Sequence, residues 1–260
     1  MDSADTCPDS MPPILKYSGL TSAAAALQFY ERRQQSIANN LANVDTTGFK
    51  KERVFGRMID DAVAAADATT DRSQGSIAPT GNALDVAMQS DAFLVVQTPA
   101  GERLTRGGAL RIDEQRRLVT QQGHVVLGED GPITLPPGDV GIGRDGVITV
   151  QPPAGGDDTA GKGRLPTRLK AAVLRIETVP PNASLQHLGG GLFMPDAKRK
   201  PAADVDRQVM QGALESSNVN AIESLTEMID TVRAYADVQK SISVMDDIRG
   251  IAANQIGKPV

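Results

Sequence analysis

The sequence predicts an α+β fold in which a central, mainly antiparallel β domain lies between N- and C-terminal helical arms. Helical periodicity is confined to the two ends, and short apolar runs punctuated by Gly, Pro and Asp fill the middle. Aromatic residues make up only 3% of the 260 residues, with three Tyr, five Phe and no Trp. A compact core therefore has to be built mainly from Val, Ile, Leu, Met and Ala. Tyr17, Phe29, Tyr30, Phe49, Phe55 and Tyr235 sit towards the ends, and only Phe93 and Phe193 lie between.

The first 17 residues, acidic and polar, read as an extension, and residues 18–61 as a helical arm with the turn that follows it. Leu20, Ala23, Leu27, Tyr30, Gln34, Ile37, Leu41 and Val44 alternate spacings of three and four, the a/d seam of a helix meant for another helix. The helix should stop near Asn43, because Asp45-Thr46-Thr47-Gly48 combines turn formers with a glycine free to take positive φ. Phe49-Lys50-Lys51 leads out of that turn. Asn39, Asn40 and Asn43 fall off the seam, and asparagine is a poor helix-interior residue. They read either as bridges to neighbouring subunits or as the mark of a fraying end. Residues 62–81, rich in Ala, Thr, Asp and Ser, read as a linker.

Residues 82–194 carry the β pattern. Strands are expected at 84–88, 93–97, 103–106, 109–113, 118–120, 125–127, 133–135, 147–150 and 169–178, separated by turn formers such as Asp130-Gly131 and Asp145-Gly146. Residues 151–166 and 195–208 read as further linkers. The C-terminal arm, 209–260, holds Asn218 and then Asn220 with Glu223, the N-cap and third-position carboxylate of a capping box. Ile222, Leu225, Ile229, Val232, Tyr235, Val238, Ile242, Met245 and Ile248 follow at threes and fours. A helix of about 35 residues would be roughly 50 Å long, longer than one domain of this size covers. Periodicity alone leaves two readings open: arms packed on the β domain, or arms packed between subunits of an assembly.

Charge and composition exclude several classes. With a net charge of −5 and a pI near 5.1, no overall basic field attracts nucleic acid or anionic lipid. One cysteine, Cys7, and two histidines leave no disulfide framework and no Cys- or His-rich metal site. Apolar runs are too short to insert in a membrane, and the N-terminus lacks the pattern of a cleaved signal peptide. Gly141-Ile142-Gly143-Arg144-Asp145-Gly146 matches a dinucleotide-binding spacing, but a strand, Val147-Ile148-Thr149-Val150, follows it where a helix is needed. It reads as a hairpin turn. Asp246-Asp247 and Asp157-Asp158 lack calcium-loop spacing, Gly189-Gly190-Gly191 lacks a following Lys-Ser or Lys-Thr, and His124 and His187, the latter placed in a loop, have no nucleophile motif nearby. No catalytic residue, cofactor, metal or small-molecule substrate is expected.

Two longer motifs remain. Ser36-Ile37-Ala38-Asn39-Asn40-Leu41-Ala42-Asn43-Val44-Asp45-Thr46-Thr47-Gly48-Phe49-Lys50 resembles the N-terminal signature of the flagellar axial proteins, the rod and hook components. Gly212-Ala213-Leu214-Glu215-Ser216-Ser217-Asn218-Val219-Asn220, with Met228-Ile229 and Arg233-Ala234-Tyr235, resembles the C-terminal signature of the same family. Between them 84–88, 93–98, 105–108 and 118–120 are similar to the shared core of the rod proteins, and 122–133 leans towards the proximal rod, with the distal rod next. The resemblance implies a structural subunit of the basal-body rod, exported by the flagellar type III apparatus without a cleaved signal peptide and polymerised in the periplasm with copies of itself and other rod and hook–basal-body subunits. It also implies arms that can be disordered in the monomer and pair as a coiled coil on assembly. Leu27, Tyr30, Ile37, Leu41 and Val44, with Ile222, Leu225, Ile229, Val232 and Tyr235, are the expected packing residues. Asn39, Asn40, Asn43, Asp45, Thr46, Gly48, Phe49, Asn218 and Asn220, at the turns beside them, are expected to take part in the same polymerisation contacts.

Overall fold

The computed structural model describes residues 19–59, 62–153, 168–181, 183–203 and 205–256. It is α+β, mostly antiparallel β with one helix near each end. The chain divides into two compact units. One contains α1 (Gly19–Ala42) as far as Ser36, residues Val54–Ala68 of a ribbon made by β1 (Glu52–Ile59) and β2 (Ala62–Thr70), and α2 (Ala221–Ile256) from Thr226 onwards. The other is formed by Ile37–Arg53 and Thr69–Leu225.

In the helical unit α1 and α2 lie side by side and antiparallel. The Tyr235 hydroxyl donates to Glu31 Oε1 at 3.2 Å, and a Cβ on Gly19 would meet Met245 Sδ at 3.6 Å. Moving forward along α1 from Gly19 to Glu31 thus moves backward along α2 from Met245 to Tyr235. On α2 the covered stripe is Met228, Thr231, Tyr235, Val238, Ile242 and Met245, spaced by three and four; Thr231 is only 2% exposed and donates its hydroxyl to Glu227 O. Neither helix is long and apolar enough to cross a membrane.

The other unit is a β structure read in chain order. After β3 (Ile77–Pro79) and β4 (Val86–Met88) come β5 (Ala92–Thr98), β6 (Gly101–Thr105), β7 (Leu110–Ile112), β8 (Leu118–Thr120), β9 (Val125–Gly128) and β10 (Gly131–Pro132). There follow β11 (Asp139–Ile142), β12 (Val147–Gln151), β13 (Leu169–Val173), β14 (Ile176–Thr178), β15 (Leu185–His187), β16 (Leu192–Pro195), β17 (Lys200–Pro201), β18 (Val209–Gln211) and β19 (Ala213–Glu215). The main sheet runs β15-β16-β6-β5-β9-β8-β7, with β14 also on β5. Its central strand explains its own sequence: Ala92, Leu94 and Val96 enter one core, while Phe93 and Val95 enter a second on the opposite face. A strand buried on both faces needs an unbroken apolar run. The first core is closed by the small sheet β11-β12-β13 and the second by Leu104, Leu127, Val179, Leu185 and Phe193.

Several expectations change. Residues 62–81 are not a plain linker, since they hold all of β2 and β3; alanine-rich composition hid the strands. The stretch 195–208 contains β17, and the first part of the C-terminal arm holds β18 and β19 of the β unit; its helix starts at Ala221, directly after the expected N-cap Asn220. The expected strand 169–178 breaks at Leu174 and Arg175 into β13, on β12, and β14, on β5. Ile133 and Leu135 fill the core from a loop beyond β10. Most of the second linker, 154–166, lies outside the described residues. Gly143–Gly146 is a hairpin turn, closed by Gly143 N–H to Val147 O at 2.8 Å, with Gly146 at φ 79°.

Candidate functional site

The two terminal signatures, 165 residues apart between Lys50 and Glu215, meet in one polar junction inside the β unit. It begins where α1 ends. Asn43 N–H and Val44 N–H turn back to Asn40 O and Leu41 O, tightening the last turn. Asn43 Nδ2 reaches Asn39 O at 2.8 Å, and Asn43 Oδ1 accepts from the Thr46 hydroxyl at 3.1 Å. Asn40 is 1% exposed. Its side-chain amide accepts from Glu52 N–H at 2.9 Å and donates to Glu52 O at 2.8 Å, so it pairs with the start of β1 as a neighbouring strand would. Gly48 lies at φ 68°, and a Cβ there would come within 2.4 Å of the Arg106 carbonyl carbon. Only glycine meets both conditions.

The C-terminal signature completes the junction. Gly48 N–H donates to Glu215 O at 2.8 Å. Glu215 Oε1 accepts from Lys50 Nζ at 2.7 Å and from Gly75 N–H at 3.0 Å, while Oε2 accepts from Arg106 Nε at 2.9 Å and Nη2 at 2.6 Å. The Lys50 and Glu215 side chains are each 1% exposed. Two cations thus share one carboxylate out of contact with water. Burial lowers the Lys50 ammonium from its usual value of 10.5, the Arg106 charge lowers it further, and the bond and charge of Glu215 oppose both. Asn218 Oδ1 accepts from Lys51 N–H at 2.6 Å, and its Nδ2 donates to Asp71 O and Ser73 O at 2.9 and 3.0 Å. Asn220 Oδ1 caps α2 through Ile222 and Glu223 N–H at 3.0 and 3.3 Å. Glu223, in the first turn, lies 3.7 Å from Lys51 Nζ.

A row of rings extends from the junction into the second core. Arg106 stands over Phe93 at 5.6 Å; Phe93 meets Phe193 at 5.8 Å, Phe193 meets His187 at 4.9 Å, and His187 meets Phe49 at 5.3 Å. Of the aromatics towards the ends, Phe49 is therefore joined in space to Phe93 and Phe193 of the middle, through His187. His187 lies in β15 and not in a loop, and its Nε2 is enclosed without a hydrogen-bond partner. Burial lowers its pKa below 6.5, against a weaker upward pull from Glu52. Because the folded value is depressed, the unfolded chain binds more protons as pH falls below 6.5. The stability contribution of neutral His187 is therefore lost between that pH and the lower folded value. His187→Phe is expected to flatten this part of the profile, which thermal unfolding between about pH 7.5 and 5 measures.

The expected packing residues divide. Ile37 is buried; Leu27, Tyr30, Leu41 and Tyr235 are partly covered; Asn39 and Asp45 are exposed, and Val44 lies beyond the end of α1. Ile222, Leu225, Ile229 and Val232 are exposed, Ile222 by 78%. The single stripe read along α2 is therefore two. The steps 229→232→235→238 are successive threes, each falling about 60° short of a full turn at 3.6 residues per turn, so the path crosses to the opposite face. Asn40 does not mark a fraying end; within the subunit it is an internal strand partner of Glu52. Lys50, Glu215, Arg106, Asp71 and Ser73 escaped notice as a site, although a lysine directly after Phe49 was a usable signal.

What fold and junction define is a subunit whose two terminal signatures meet in one buried polar cluster and whose α2 keeps an exposed apolar stripe. Three family models match: "Flagella basal body rod protein" over residues 20–50, "Flagellar hook protein FlgE/F/G D1 domain" over 87–150, and "Flagellar basal body rod FlgEFG protein C-terminal" over 210–256. The flagellar basal-body rod protein FlgF of Escherichia coli K12 is 35% identical over 257 residues, covering 92% of this chain and 96% of that protein. FlgF of Rhizobium meliloti 1021 is 33% identical over 232 residues, covering 85% and 90%. FlgG of Borreliella burgdorferi is 29% identical over 266 residues, covering 90% and 97%. The chain belongs to the flagellar basal-body rod protein family, and it is a FlgF-like structural subunit of the rod.

Proposed function

We propose that this subunit occupies the proximal rod and polymerises through its terminal helices, helping to form the drive shaft across the periplasm. The observation that carries the reading is the run of exposed apolar residues Ile222, Leu225, Ile229 and Val232 on α2, on the face away from Thr231 and Tyr235. Full burial of a large apolar side chain is worth about 1.5–3 kcal/mol, so covering Ile222 gains most of that and covering the half-exposed Leu225, Ile229 and Val232 roughly half of it each; helices of neighbouring subunits supply that cover in coiled-coil fashion. A repeated contact of this kind between unlike surfaces does not close on itself and generates a filament. The junction suits a shaft, because it places the end of α1 and the start of α2 in the same compact unit as the main sheet.

The partners in this reading are further copies, other rod and hook–basal-body subunits and the flagellar type III export apparatus. The role is structural and involves no catalysis. Deleting the gene should abolish flagella and swimming, and the protein should co-purify with basal bodies. A deletion strain that still builds flagella would overturn the reading. The FlgG-like, distal-rod alternative draws on the match to FlgG across most of the chain. In that case the deletion strain should retain a proximal rod stub containing its FlgF protein.

A further inference from the structure

We propose that the segment 209–220 is a latch that closes last and joins the N-terminal turn to the sheet only when the C-terminal end of the chain is free to dock. Its strands are the ladder partners of otherwise isolated strands, since β18 pairs with β4 and β19 with β3, each as a two-stranded sheet. Around Gly212 it also takes Thr80 N–H on its carbonyl at 2.7 Å and gives its own N–H to Asp85 O at 2.8 Å. Gln211 bonds Ala83 O and Val140 O and accepts from Ile142 N–H. With the Glu215 and Asn218 bonds described above, one short segment ties together residues 48–51, 71–88, Arg106 and 140–142.

The order of events follows from charge and topology. Before Glu215 arrives, Lys50 and Arg106 would be two buried cations facing one another without the carboxylate they share, with only the more distant Asp91 charge to favour Lys50, so burial of the N-terminal turn is opposed. Glu215 is 165 residues from Lys50 and 109 from Arg106. Closing such long loops is slow compared with pairing the hairpin β5-β6, whose strands are adjacent in the chain. Gly75 also has to admit the latch closely, because a Cβ on it would lie 2.0 Å from Ser216 O. A chain whose C-terminal segment is still being made, or is held by another protein, therefore keeps its sheet hairpins but leaves the N-terminal turn undocked. For a subunit that must stay unassembled until delivered, this couples closure to completeness. The proposal concerns folding order and stands or fails independently of rod position.

Pulse-labelling hydrogen exchange during refolding of the full-length protein tests it. The amides of Gly48, Lys51, Gly75 and Thr80, all bonded to the latch, should gain protection about tenfold or more later than those of β5, β6 and β9. In native Asn218→Ala the same four amides should exchange faster while β5, β6 and β9 remain protected. Simultaneous protection of both groups in the wild type would overturn the proposal. So would a uniform rise in exchange over the whole β unit in the variant, because either shows one cooperative closure without a latch.

Discussion

Glu215→Gln is expected to destabilise the β unit by about 3–5 kcal/mol, and Lys50→Met by less than about 1 kcal/mol, although the two residues form one buried ion pair. The asymmetry comes from the count of charges. Lys50 and Arg106 both lie on Glu215, so the site holds two cations and one carboxylate. Removing the carboxylate leaves both cations buried and mutually repulsive. Removing the ammonium leaves a matched Arg106–Glu215 pair whose carboxylate still accepts from Gly75 N–H. Ser73 O, which also accepts from Lys50, keeps the Asn218 amide as a donor. The double variant Lys50→Met with Glu215→Gln should fall between the two, since one of the repelling cations has gone. Urea unfolding of the three proteins measures the order; equal losses for the two single variants would contradict it.

The same site sets an alkaline dependence. Lys50 titrates below 10.5 in the folded protein because of burial and then Arg106. Between that lowered value and 10.5 the unfolded chain carries more protons, so this residue makes stability rise with pH across the window. Lys50→Met should remove the rise.

Legibility in the sequence followed the range of the interaction. The end of α1 at Ala42, the N-cap at Asn220 and the buried run of β5 depend on neighbours a few residues away, and each could be read directly. Asn40 could not, because its partner is the backbone of Glu52 across a turn, and no side-chain pattern reports a backbone partner. The Lys50–Glu215–Arg106 cluster needs three segments that only the fold brings together. The strands between 62 and 79 were obscured by alanine, a poor strand former in the absence of tertiary pairing. On α2 the apolar spacing is visible throughout, but spacings of three and four do not by themselves fix the angle around the helix. A run of three threes therefore joined an exposed face to a covered one.

That distinction makes a sharp functional expectation. Leu225→Asp and Ile229→Asp are expected to abolish rod assembly and swimming while lowering the stability of the isolated subunit by only about 1 kcal/mol each. Both side chains are about half exposed, at 49% and 52%, so in the subunit the carboxylates enter water. In the proposed assembly they would be buried without a counter-ion, which is far more costly than the loss of one apolar contact. The covered stripe should behave in the opposite way. Tyr235→Ala removes the bond to Glu31 and the ring packed beside α1, so it should loosen the helix pair already in the monomer. Swimming haloes and basal-body content of a complemented deletion strain, set against thermal melts of the purified variants, separate the two faces. If the Asp variants still swim, the exposed face of α2 is not the polymerisation surface; if they melt early, the face is covered within the subunit itself.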